Sequence, residues 1–173
     1  TPLTLNISDG TLDEQCTVAL SAGQADYDRT EDALFHNAFR GRNNLDLYSK
    51  TADDVSVMVN ATTAEAGTVI PIYTKGLNGM EVTLTAPSVP DDVCLVLEDI
   101  IDGWSAAIEP GMAYTYSVTT AVDEHRFNLI VGGTIHAEST DAACVSAQDG
   151  TIAVMGPDSS STFTLEDASG QPA

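Results

Sequence analysis

Four carboxylates crowd into one short stretch of this chain: Asp26, Asp28, Glu31 and Asp32. Hard cations bind clustered oxygen ligands, about six to eight for calcium, so an acidic loop of alternating spacing is a candidate calcium site. The helix–loop–helix calcium pattern is absent, because neither its central glycine nor its closing glutamate stands at the required offset. The competing reading is a solvated loop whose aspartates cap turns and a short helix, with Arg29 nearby. Two further acidic groups, Asp91-Asp92 after Pro90 and Glu98-Asp99 with Asp102, sit at expected turns. Paired carboxylates hydrolyse glycosides only when held at set distances across a cleft, and acids at turns are ordinarily exposed. Trp104 follows the Asp102-Gly103 turn, which makes it the candidate ligand-binding aromatic for stacking against a sugar. Tyr114 and Tyr116 share one strand face and are expected in the core.

Catalytic signatures are missing from the sequence. His36, His125 and His136 are far apart and fall in no HxxxH or HExxH pattern. No Gly-x-Ser-x-Gly elbow, reactive-cysteine signature or glycine-rich phosphate loop is present. The sequence therefore predicts no enzyme, no catalytic residue and no cofactor, with calcium the single candidate ion. Cys16, Cys94 and Cys144 show no zinc spacing. They leave open one disulfide plus a buried thiol, or three thiols. Cys16 shares a face with Val18 and Leu20, and Cys94 faces away from Leu95 and Leu97.

The 173 residues include 26 acidic and 6 basic side chains, a net charge of −20. Nucleic acid and anionic membrane surfaces repel such a chain, which argues against both as partners. Solubility in a salty or extracellular setting accounts for the acidity most simply. Bound calcium or a basic partner surface would account for it as well. Apolar residues make up 43%, enough for a core. No run of about 18 apolar residues exists, so no membrane insertion is expected. The opening Thr1-Pro2-Leu3 reads as the start of a mature or excised piece.

The elements that position these residues are strands. Leu3-Thr4-Leu5-Asn6-Ile7, Val55 to Val59 and Met80 to Thr85 alternate apolar and polar residues, and Asp9-Gly10, Asp53-Asp54 and Asp102-Gly103 mark turns. Gly76-Leu77-Asn78-Gly79 reads as a hairpin turn. Pro71 suggests an edge or bulge in the strand Thr68 to Tyr73. Asp26 to Asn44 is polar, with Phe35 and Phe39 spaced for one helical turn or a folded loop. Val93 to Leu97 is nearly all apolar and is expected to be central. About ten closely spaced strands without a long helix predict an all-β fold: an antiparallel two-sheet β-sandwich, jelly-roll-like, over residues 1–137. Residues 138–173 hold six of the acids and no Lys or Arg, and predict a short C-terminal β-hairpin segment from Thr151-Ile152-Ala153-Val154-Met155 and Thr162-Phe163-Thr164-Leu165.

An ordered series of phrases runs through the chain. It comprises Asp13-Glu14-Gln15-Cys16-Thr17-Val18, Tyr27-Asp28, Leu45-Asp46-Leu47-Tyr48-Ser49, Gly67-Thr68-Val69-Ile70-Pro71-Ile72, Leu97-Glu98-Asp99 and Arg126-Phe127-Asn128-Leu129. This order resembles the β-sandwich that precedes the C-terminal sorting domain in large secreted and surface proteins of the Bacteroidota, which leave the cell by type IX secretion. The tail resembles the opening of the Ig-like sorting domain itself, with Asp167-Ala168-Ser169-Gly170 followed by Gln171 where that family carries arginine. The resemblance implies an extracellular or cell-surface location and a non-catalytic structural spacer or docking module. It also implies a larger parent polypeptide, with the type IX secretion machinery as partner. Separately, an incomplete sandwich over Thr151 to Leu165 would expose unpaired strand edges, which accept a strand from another β-strand donor. The alternative is a calcium-stabilised adhesin module that binds carbohydrate or protein. The sequons at Asn6 and Asn60 matter only in a eukaryotic secretory path.

Overall fold

The computed structural model describes residues 1–20, 23–36, 45–119, 123–134, 136–140 and 151–155. They form β1 (Leu3–Ser8), β2 (Asp13–Leu20), β3 (Ala33–Leu34), β4 (Asp46–Lys50), β5 (Ser56–Thr62) and β6 (Val69–Lys75). Next come β7 (Glu81–Ser88), β8 (Val93–Asp99), β9 (Trp104–Ala107), β10 (Ala113–Ser117) and β11 (Glu124–Thr134). Last are β12 (His136–Thr140) and β13 (Thr151–Met155). The fold is all-β, with no helix among the described residues. No helix of the described residues is long and apolar enough to cross a membrane.

One 11-stranded sheet holds every strand but the last two, in the order β10-β7-β1-β2-β5-β4-β6-β11-β8-β9, with β3 attached to β5. β12 and β13 make their own two-stranded antiparallel sheet, and the sequence boundary at 137/138 falls inside β12. Alternation explains which residues turn inward. Leu3, Leu5 and Ile7 of β1, Val82 and Leu84 of β7, and Leu95 and Leu97 of β8 are buried, while their neighbours face outward. The sheet curls on itself, because residues from distant places in the strand order share the core. Tyr116 of β10 meets Phe127 of β11 edge-on, with ring centroids 5.3 Å apart.

Three sequence expectations need correction. The sheet is mixed: β2 and β5 run parallel, with Thr17 opposite Val59 and Leu20 opposite Thr62. The long connection through β3 and β4 gives the chain room to return in the same direction. Gly76 to Gly79 makes no hairpin, because β6 pairs with β4 and β11 whereas β7 pairs with β1 and β10. Its Leu77–Met80 hydrogen bond and the φ of 80° at Gly79 make a true turn, which carries the chain between separate parts of the sheet. Pro71 lies in an interior strand, but β4 stops pairing at Ser49 opposite Ile72, one residue short of it. The missing N–H therefore falls on a locally open flank. Asp26 to His36 forms turns and then β3, with residues 37–44 outside the described set.

Candidate functional site

Arg126 centres the densest polar cluster. A bulge in the pairing of β11 with β6, between His125 and Phe127, inserts it as an extra residue. Bulging turns two consecutive side chains the same way, so Arg126 and Phe127 are both fully buried. The guanidinium donates from Nε to Asp99 Oδ2 at 2.9 Å and from Nη1 to the Ser117 carbonyl at 3.1 Å. Nη2 lies 2.7 Å from Asp99 Oδ2 and bonds Asp102 Oδ2 as well. Its Cζ sits 4.2 Å from the centre of the Tyr116 ring. Burial pulls the Arg126 pKa down, and the hydrogen bond to Asp99 with the charges of Asp99 and Asp102 outweighs it, for a net rise.

Asp99 is saturated. Its other oxygen accepts the Ile101 and Asp102 amides at 2.9 and 3.1 Å, and the Tyr114 hydroxyl donates to Oδ2 at 3.0 Å. Burial first, then the bond to Asp99 and the nearby carboxylates, push the Tyr114 hydroxyl up to about 12, which keeps it a donor. Trp104 stacks on Tyr114 with centroids 3.9 Å apart and planes 13° off parallel, and Trp104 is half-buried. One indole face is thus covered from within. β11, the end of β8 with the turn that follows it, and β10 meet in this cluster, which closes the far ends of the strand order on each other.

The acidic loop is built differently. Asp32 is buried, and its two oxygens accept backbone amides, Oδ1 from Ala61 at 2.8 Å and Oδ2 from Asp28 at 2.7 Å. Asp28 accepts the Thr30 hydroxyl at 2.7 Å and its amide at 2.8 Å, and those bonds hold its carboxyl below the usual carboxylate range. Asp26 and Glu31 are exposed. Asp53 reaches across to accept the Tyr27 amide at 2.9 Å. Gly23 brings the loop against β5 so closely that a Cβ there would lie 2.5 Å from the Ala61 carbonyl carbon and oxygen. Among the described residues no three His, Cys, Asp or Glu side chains gather as a metal ion needs.

A third group is a ladder of rings. Phe35, Tyr48, Tyr73 and His125 stack in sequence with centroids 4.4, 5.3 and 5.1 Å apart. Cross-strand pairing of Tyr48 with Tyr73 and of Tyr73 with His125 sets the spacing. Lys50 Nζ lies 4.7 Å from the Tyr73 centroid. Inside the core, Asn60 donates to Ser49 Oγ at 3.1 Å. Its burial also hides the Asn60 sequon amide. Cys16 is buried beside Ser49, and burial pushes its thiol up to about 12, well away from the reactive thiolate. Cys16 and Cys94 are both free thiols, and Cys144 lies outside the described residues.

Sequence reasoning placed Asp99 and Asp102 at an exposed turn and gave Arg126 no role. The signal for its burial was an arginine inside an apolar strand, next to Phe127 and three before Leu129. The bulge that turns it inward leaves no mark in the periodicity. Comparison with known protein families, with curated proteins and with solved structures finds no match.

Proposed function

We propose that this chain is a non-catalytic β-sandwich module of a larger exported bacterial surface protein, a spacer or docking module beside a type IX secretion signal. The observation that carries the reading is how the polar side chains spend their hydrogen bonds. Asp99 and Asp102 bind Arg126, Asp32 binds two backbone amides, and Trp104 stacks on Tyr114. Groups committed to joining strands suit a domain whose work is to stay folded outside the cell. The ordered phrases of the sorting-domain family support the location.

The finer architecture belongs to the same proposal. β10, β7, β1, β2 and β5 make one layer of a jelly-roll-like sandwich, and β4, β6, β11, β8 and β9 make the other. The Tyr116–Phe127 contact and the short link from β9 to β10 support that division. Residues 138–173 then begin a second, Ig-like sorting domain. Protease shaving of intact cells that make the parent protein tests the location. Release of peptides from this domain is expected, and full protection until the cells are lysed would overturn the proposal.

A further inference from the structure

Among the described residues β10 pairs with β7 alone, which leaves its other edge open. Val118 N–H donates to Met80 O at 2.9 Å and Ala86 N–H to Met112 O at 3.4 Å. That phase turns the backbone groups of the even residues toward β7 and those of Ala113, Thr115 and Ser117 toward the open side. Their side chains are exposed and uncharged. Natural edges are blunted by lysine, proline, a bulge or an inward charge. The open edge of β10 carries none of these except at one end, where Arg126 occupies the Ser117 carbonyl. Carboxylates stand near both ends of β10. Glu109 precedes it, Glu81 faces Ser117 from the paired strand β7, and Asp102, with its side chain 48% exposed, lies beside Arg126. The cation at this end, Arg126, is itself buried.

We propose that the open edge of β10 captures an extended, basic segment of another polypeptide as an added strand. Main-chain hydrogen bonds to Ala113 and Thr115 hold the segment, and its lysines or arginines meet Glu109 at one end and Glu81 and Asp102 at the other. A second copy fits less well, because each carries a charge of −20 and the approach is repulsive. The inference stands on the sheet edge and the charges around it, and holds whether or not the domain is exported.

The test uses the full chain and a fluorescent synthetic peptide of alternating Thr and Val with two lysines at each end, read by anisotropy. A control peptide carries glutamates in place of the lysines. The basic peptide is expected to bind, the acidic one to fail, and Thr115→Pro to weaken binding at least tenfold with little change in melting temperature. Proline removes a backbone donor that faces the open side, and with it the exposed hydroxyl bond of Thr115 to Thr83, 3.0 Å long. Should Thr115→Pro unfold, amide exchange in the wild type reads the same contact, with the Thr115 N–H slowed by the basic peptide. No binding, binding that Thr115→Pro leaves intact, or no slowing at Thr115 would each overturn the proposal. So would a Thr115→Pro-sensitive dimer of this chain in place of peptide binding.

Discussion

Two buried carboxylates, Asp99 and Asp32, are neutralised in opposite ways. Asp99 meets a cation, the fully buried Arg126, together with two backbone amides and the Tyr114 hydroxyl. Asp32 is held instead by the backbone amides of Ala61 and Asp28. The first arrangement holds strands far apart in the sheet order, and the second pins a loop to β5. The comparison teaches that an ionised group in this domain is placed where backbone geometry alone leaves a seam. It also explains why an acidic chain keeps Arg126 in its core: removing either member of a buried pair strands the other without a partner.

The largest expected effect comes from breaking the first seam. Arg126→Met leaves Asp99 buried without its cation and is expected to cost about 3–5 kcal/mol, read by urea unfolding. At the second seam Gly23→Ala drives a methyl into the Ala61 backbone, which no side-chain motion relieves. A loss of about 1–3 kcal/mol follows by the same measurement. Asp32→Ala strips the acceptor from two amides and is expected to cost about 1–3 kcal/mol. Equal losses from Asp32→Ala and Arg126→Met would erase the distinction between the seams.

Smaller effects sharpen it. Thermal unfolding in calcium and then in chelator, at fixed ionic strength, is expected to give the same midpoint, since the Asp32 oxygens already hold amides. A large rise with calcium would return the loop to an ion site and favour the adhesin alternative. The weakest effect is acid sensitivity. Asp9, Asp28 and Asp53 are held below the ordinary value of 3.8, by the amides of Leu12 and Thr11, by the Thr30 hydroxyl and amide, and by the Thr51 hydroxyl and Tyr27 amide. Depressed folded-state values mean that their contribution is complete above about 3.8 and is lost as pH falls through the folded values. Carbon-13 NMR titration should place the Asp28 carboxyl below 3.8 and return it toward that value in Thr30→Val.

Much of the strand content was legible because alternation records which side of a strand meets the core. Leu3, Leu5 and Ile7 sit as the pattern requires, as do buried Cys16 and outward Cys94. Pairing was less legible. Gly76 to Gly79 carries turn chemistry, and turn chemistry fixes a reversal without fixing which strands then pair. The parallel β2–β5 pair depends on a long excursion that no local signal encodes. The Arg126 cluster was hidden for a related reason. Its members come from β11, the end of β8 with the turn after it, and β10, and one bulged residue brings them together. Asp26, Asp28, Glu31 and Asp32 were conspicuous in sequence because they are neighbours, and the fold gives only Asp32 a buried position among them.

A double-mutant cycle between Arg126→Met and Asp99→Asn, measured by urea unfolding, tests the central claim most directly. If the pair is the clasp that closes the curled sheet, each single change is costly and the double change costs less than their sum, with a coupling on the order of 2 kcal/mol. Additive losses, or singles within about 0.5 kcal/mol of wild type, would contradict the account.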